Sequence, residues 1–249
     1  MIRHGHRLVL IVGLTGLAAL MVWPYHNGVL RYGLPFALFA VWAAGLGFVW
    51  PRKFLCMGLL ALPVLAVIPF LLPTKPLPAD QLRERYLSEL RSMEGVPYVW
   101  GGESHRGIDC SGLPRRALRD ALWAEGWEHS NGAAFRAWAS QWWFDTSAKA
   151  LGENYRDFTQ PIGVRGQLRD LDFTTLTSGD LGITADGRHV MVYLGNNQWI
   201  QADPGPFRVT IGNPATDPNP WFDSIVVMQR WTMLDGGAER LVRDGPPAS

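Results

Sequence analysis

Cys110 stands where a glycine-rich loop, Trp100-Gly101-Gly102, gives way to a run with helical spacing of apolar residues (Leu113, Ala117, Ala121, Leu122). Unpaired N–H groups and the helix dipole at such a start favour thiolate over thiol, so the expected chemistry is nucleophilic attack by sulfur. A sulfur nucleophile needs a base, and beyond Pro73 the sequence offers only His105, His129 and His189. His189 opens the strand-like run His189-Val-Met-Val-Tyr-Leu194, where a sheet can hold an imidazole rigidly against a helix terminus. Gln201 lies on the next strand and can accept from the ring N–H, fixing its tautomer. Side chains alternate across a strand, so His189 and Gln201 share a face only if the connecting loop has an odd residue count, as in Gly195-Asn196-Asn197. On pattern alone, a structural cysteine and a structural histidine remain open. His105 and Cys110 lack a recognised ligand spacing and have no His/Cys cluster around them, so no metal site is expected.

The elements that must position these residues form an α+β pattern. Pro73, Pro76 and Pro78 make a stiff linker over 74–79. Asp80 to Met93 reads as an amphipathic helix with Leu82, Tyr86, Leu90 and Met93 on one face, ended by Gly95 and Pro97. A second helix is expected from Ser111 to about Glu125, with Pro114 tolerated in its first turn. Short strands follow at Leu181–Thr184, His189–Leu194, Trp199–Ala202, Phe207–Ile211 and Ile225–Trp231, separated by turn residues such as Asp186-Gly187 and Pro204-Gly205. Helices first and a strand meander second predict helices packed on an antiparallel sheet.

Before Pro73 the chain is different. Of 249 residues 47% are apolar and 18% charged, and nearly all of the excess hydrophobicity lies in three runs: Leu8–Trp23, Leu34–Trp50 and Phe54–Leu72. None contains Asp, Glu, Lys or Arg, and each approaches the ~20 residues that cross a bilayer as helix. Three transmembrane helices over 1–73 are expected, rather than a signal peptide and a buried helical pair. Arg3, Arg7, Arg52 and Lys53 put four fixed positive charges on one side, against Arg31 alone on the other. The positive-inside rule then places the N-terminus in the cytoplasm and the soluble part outside the inner membrane. With no ionisable residue in any span, a transport or proton-relay role is excluded and the helices read as an anchor in the lipid bilayer. Lys plus Arg is 23 and Asp plus Glu 22, so nothing calls for nucleic acid. Cys56 lies inside the third apolar run, and it and Cys110 are read as free thiols.

The segment Gly95-Val-Pro-Tyr-Val-Trp-Gly-Gly102, followed by Ile108-Asp-Cys-Ser-Gly-Leu113, resembles the nucleophile block of the NlpC family of bacterial cell-wall cysteine peptidases. Ser178-Gly-Asp-Leu181 and His189-Val-Met-Val-Tyr-Leu-Gly195 resemble its second block, and Gln201 falls where the family places its third polar residue. The resemblance spans about Asp80 to Trp231. It implies a papain-like domain over 80–234, and hydrolysis of peptide bonds in peptidoglycan stems or muropeptides, typically the D-isoglutamyl–diamino acid bond. It makes Cys110 the nucleophile, His189 the base, Gln201 the orienting group and Tyr98 an oxyanion donor, with no cofactor. Tyr98 as a packing aromatic stays open. Asp109 and Ser111 match substrate-contacting positions, Asp109 toward a free N-terminal amine, while a simple helix N-cap is the competing reading for either.

Two features depart from the family pattern. The third residue is often histidine, whereas Gln201 is neutral. The stretch between Cys110 and His189 is long, with surplus expected at 128–172 around Trp138, Trp142 and Trp143. Phe135, Trp138, Ala139 and Trp142 have helical spacing, which reads as a core stripe; a lid, a groove wall or an aromatic contact with the membrane surface is the sharper alternative. Residues 235–249 read as a flexible tail. Three functions are carried forward: an endopeptidase, a thiol acyltransferase or lipid amidase on the same fold, and a catalytically silent wall-binding module.

Overall fold

The computed structural model describes residues 2–144 and 146–235, so the expected tail lies outside the described residues apart from Asp235. Three helices open the chain: α1 (Ile2–Val22), α2 (Gly28–Val49) and α3 (Lys53–Leu71). They run antiparallel in turn. Gly13 of α1 lies against Val41 of α2, Gly33 against Leu20, and Gly45 against Leu59 of α3, with the Trp42 indole donating to the Leu59 carbonyl at 2.8 Å.

Among the described residues, α2 and α3 are long and apolar enough to cross a bilayer; the apolar part of α1, Leu8–Val22, is shorter. It spans about 22 Å at ~1.5 Å per residue, against a hydrocarbon core of ~30 Å. The expectation of three full-length spans is therefore met by two helices.

After the helices comes an α+β unit with the expected antiparallel sheet. Helix α4 (Ala79–Ser92) buries Leu82, Tyr86 and Leu90, as their spacing predicts. A small hairpin, β1 (Glu103–Ser104) and β2 (Gly107–Ile108), leads to α5 (Gly112–Glu128), which buries Leu113, Ala117, Ala121 and Leu122 completely. Then follow α6 (Gly132–Trp143), the short α7 (Ala148–Gly152) and β3 (Thr159–Gln167), a strand the sequence does not announce. The remaining strands are β4 (Leu181–Thr184), β5 (Val190–Gly195), β6 (Gln198–Asp203), β7 (Arg208–Gly212) and β8 (Ile225–Trp231), each within a residue or so of its expected bounds. Their order in the sheet is β3-β8-β4-β5-β6-β7, with every pair antiparallel.

One face of the sheet (Val190, Val192, Ile200, Ala202) packs on α4 and α5, and the other (Met191, Tyr193, Trp199, Met228) on Phe222 and Leu168. Across the core the Trp231 indole donates to the Tyr86 hydroxyl at 3.1 Å. The Ser178-Gly179-Asp180 block anchors the sheet. Asp180 is 1% exposed and receives two hydrogen bonds from the Arg230 guanidinium, at 2.6 and 2.8 Å, tying the start of β4 to β8. A forked, charge-assisted pair of this kind fixes geometry as well as adding energy.

The helices and the α+β unit meet at one end of the helical hairpin. The α1–α2 loop bridges the Gly101–Gly102 segment, Arg31 Nη1 donates to the Trp143 carbonyl at 3.0 Å, and Tyr32 stacks edge-on against Trp143. From the end of α3, Phe70 packs against Phe135, and Arg136 donates to the Phe70 carbonyl at 2.7 Å. The proline-rich segment is pinned as well: Asn131 accepts from the Lys75 N–H at 3.1 Å and donates to the Lys75 carbonyl at 3.2 Å. Trp142 and Trp143 thus turn toward the N-terminal helices, whereas Phe135 is fully buried.

Candidate active site

Cys110 lies immediately before α5, and the way the chain approaches it explains the glycines on both sides. A Cβ on Gly112 would sit 2.3 Å from the Gly102 carbonyl oxygen, and one on Gly102 2.5 Å from that of Gly107. Only glycine lets the loop close this tightly on the helix start. Asp109 completes the turn: its Oδ1 accepts from the Gly112 N–H at 2.6 Å and the Ser111 hydroxyl at 3.1 Å, and its Oδ2 accepts from the Gly101 N–H at 2.8 Å. Asp109 therefore does what an N-cap side chain does, while Ser111 makes no side-chain cap bond. Both also line the pocket that opens on Cys110.

The opposite wall comes from the β4–β5 turn. The Thr184 N–H donates to the His189 carbonyl at 3.0 Å, and the Thr184 hydroxyl accepts from the His189 N–H at 3.0 Å. This turn aims the Arg188 carbonyl at the thiol, which donates to it at 3.7 Å. His189 follows, 2% exposed, with its Nε2 bonded to the Gln201 Oε1 at 2.6 Å. Since an amide oxygen only accepts, Nε2 carries the proton and Nδ1 keeps the lone pair.

The parity condition holds. Register pairs Val192 with Ile200 and Tyr193 with Trp199, which sets Gln201 opposite Met191, two residues along from His189 and on its face. Asn196 and Asn197 make the tight turn at φ 52° and 58°, and a bulge between Tyr193 and Gly195 supplies the odd residue.

Electrostatics correct one expectation. The N–H groups of Cys110, Ser111 and Val190 do lower the thiol's pKa, but burial outweighs them and Asp109 adds to it, pushing Cys110 up to about 12. Burial also pulls His189 down to about 4, against the raising effect of the Gln201 hydrogen bond. The resting pair is thiol and neutral imidazole, not a preformed thiolate. Tyr98 is half-buried, and its phenol is raised to about 12, first by burial and then by its nearness to Cys110 and Asp109. It stands close enough to feel the thiol.

Three features were beyond the reach of the sequence pattern. Trp221 lies flat on the His189 ring, with centroids 4.0 Å apart and planes 14° apart; it sits in a proline-flanked segment with no periodic signal. Glu103 is buried between Arg115 and Arg119, each 3.5 Å from its Oε2, so that attraction to the two guanidiniums holds the carboxyl below its usual range despite burial. His26, from the α1–α2 loop, joins the same cluster at 3.2 Å. The pocket of about 320 Å3 beside Cys110 is lined by Trp100, Asp109, Ser111, Arg115, Arg188 and also His26. His189 and Gln201 lie outside that lining. No group of metal-ligating side chains occurs among the described residues.

The sequence profile of the NlpC/P60 family matches residues 95–219, half of the chain. Murein DD-endopeptidase MepS/Murein LD-carboxypeptidase of Escherichia coli K12 is 27% identical over 121 residues, covering 49% of this chain and 50% of that protein. Probable endopeptidase NlpC of the same strain is 29% identical over 140 residues, covering 53% of this chain and 71% of that protein. Among solved structures, the peptidoglycan hydrolase RipB from Mycobacterium tuberculosis is similar at 24% identity and a TM-score of 0.37, over 61% of this chain and 65% of that one. The chain spans about half the length of the MepS relative.

Proposed function

The chain belongs to the NlpC/P60 family, and on that premise we propose that it is a membrane-held cysteine endopeptidase acting on peptidoglycan stem peptides or muropeptides. The observation that carries this reading is that the Cys110 thiol at the start of α5 donates at 3.7 Å to the carbonyl of Arg188, the residue before His189, whose outer ring nitrogen Gln201 holds at 2.6 Å. In the first step the thiol proton passes to His189 Nδ1 as Sγ attacks the scissile carbonyl carbon. The Cys110 N–H, with the Tyr98 hydroxyl as second donor, stabilises the oxyanion; each donor is worth roughly 3 kcal/mol. The imidazolium then returns its proton to the leaving amine, the thioester remains, and a water deprotonated by His189 hydrolyses it. Because both groups rest neutral, charge appears only during attack, where Gln201 steadies the ring by accepting from Nε2–H. Asp109, already holding three donors, has one lone pair left for a free N-terminal amine, with Ser111 beside it. A D-isoglutamyl–diamino acid bond is the target this arrangement suits.

The membrane reading is that α1, α2 and α3 all cross. It is supported by the outward display of Phe36, Phe54, Met57, Val64 and Leu71, an apolar surface that water does not tolerate. It is supported too by topology. A cytoplasmic N-terminus brings the α1–α2 loop and the end of α3 to the outer side, and those are the segments that touch the α+β unit. The test is incubation of the full chain, in lipid nanodiscs, with purified muropeptides and analysis of products by mass spectrometry. Cleavage should fall at least about 10³-fold in Cys110→Ala; peptides left intact by the unmodified protein would overturn the reading.

A second reading, a thiol acyltransferase or lipid amidase, draws on a cavity of about 350 Å3 lined by Leu20, Leu30, Leu34 and Trp138 where helices and catalytic unit meet. Trapping an acyl group on Cys110 from a lipid donor, but not from a peptide, would select it.

A further inference from the structure

The α1–α2 loop makes contacts that an anchor alone does not need. The His26 N–H donates to the Gly101 carbonyl at 2.7 Å, and Tyr25 forms an antiparallel bridge with Gly102. The His26 ring, 8% exposed, is held on both sides: Nδ1 lies 3.2 Å from Glu103 Oε2 and Nε2 2.8 Å from the Trp142 carbonyl. The Trp142 ring meets it edge-on at 5.7 Å. The segment so gripped is the one that serves the catalytic turn. The Gly101 N–H donates to Asp109 Oδ2 at 2.8 Å, and the Gly102 carbonyl accepts from the Asp109 N–H at 3.0 Å. His26 is also part of the lining of the pocket that opens on Cys110. From anchor loop to reacting sulfur the path is short: His26, Gly101, Asp109, Cys110.

We propose that the α1–α2 loop is a working wall of the catalytic pocket, with His26 the positioning residue that sets the Trp100–Glu103 segment, and through Gly101 the Asp109 carboxylate, beside Cys110. The catalytic unit is then complete only with the first helical hairpin in place. The inference rests on the peptidase reading for its substrate arm, but not for its structural arm. A loop that shapes the substrate-amine side of the pocket should act on binding more than on the chemical step.

The test uses the full chain in nanodiscs, with Cys56→Ser introduced so that Cys110 is the only thiol. Two measurements are made on His26→Ala and on His26→Asn, which keeps a donor for the Trp142 carbonyl: amide hydrogen exchange of residues 100–103, and hydrolysis of a stem peptide with a free or an acetylated N-terminus. The His26→Ala variant should exchange those amides about tenfold faster, while the β4–β5 pair keeps its protection. Its KM for the free-amine peptide should rise about tenfold with kcat changed less than threefold, and preference over the acetylated peptide should be lost. His26→Asn should recover most of both. If His26→Ala fails to fold, His26→Asn against the unmodified protein decides, with a smaller shift in the same direction because Asn cannot span both Glu103 and Trp142. Unchanged exchange at 100–103 overturns the proposal, as does a fall confined to kcat. Should the unmodified protein cleave neither peptide, the peptidase reading fails by itself, and the exchange data still decide for or against the loop.

Discussion

The two cysteines make the instructive comparison, because both sit near the start of a helix. Cys56 lies in the first turn of α3, its N–H donating to the Arg52 carbonyl, in a helix whose residues are apolar on every side. Cys110 immediately precedes α5, where the apolar residues form one buried stripe and the other positions face polar partners. A helix terminus by itself therefore does not make a nucleophile. Around Cys110 the fold adds the Arg188 carbonyl, the Val190 N–H and an imidazole held by Gln201, none of which lies within 70 residues of it in sequence. At Cys110 the helix dipole is the lesser influence, since burial leaves the thiol near 12.

That contrast can be broken most sharply by Cys110→Ala, which should lower stem-peptide cleavage at least about 10³-fold by product analysis, with the fold intact by circular dichroism. Gln201→Ala comes next. With the outer nitrogen no longer held, the ring loses its fixed tautomer, and kcat should fall about 10²-fold with KM little moved, as steady-state rates would show.

A smaller effect is expected from Trp221→Ala, about tenfold in kcat, with a diagnostic pH signature. In the unmodified protein burial holds His189 near 4, so the base is lost only below that pH and the acid limb of kcat/KM should lie near 4. Removing the stacked indole admits water and should move the limb up toward the ordinary 6.5; an unmoved limb would deny Trp221 that role. The same depression bears on stability. An unfolded chain takes up the proton below 6.5 while the folded ring refuses it until about 4, so stability is full above 6.5 and is lost progressively as pH falls from 6.5 to 4, by about 3 kcal/mol from this group. Thermal unfolding across that window, with His189→Gln as the flat control, measures it. The smallest effect belongs to Cys56→Ser, which should leave cleavage within about twofold, because a lone thiol in an apolar helix has no partner to work with.

Legibility followed the physics of each segment. The stripes Leu82-Tyr86-Leu90 and Leu113-Ala117-Ala121 announce their helices because each faces one core. The runs that become β4 and β5 announce themselves because these inner strands are buried on both faces. β3 did not, because it is an edge strand exposed at alternate positions and interrupted by Pro161 and Gly163. The site divided the same way. Cys110, His189, Gln201 and Asp109 stand out because they fall within blocks that resemble the family's motifs; type and spacing alone leave a structural cysteine and histidine open. Trp221 on His189 and His26 on Glu103 depend on contacts between segments far apart in the chain, which no window of sequence contains.

The turn at Gly195-Asn196-Asn197 has a reach larger than its size. All three of its residues have positive φ, which glycine and asparagine tolerate best, and a Cβ on Gly195 would sit 2.8 Å from the Ser178 hydroxyl. Its length is constrained as well. Deleting one residue there would slide β6 by one position and carry the Gln201 side chain through the sheet to the opposite face, leaving His189 intact and unsupported. In this chain a counting error at a hairpin tip would separate the proposed base from its partner as surely as replacing either one, with both residues still present.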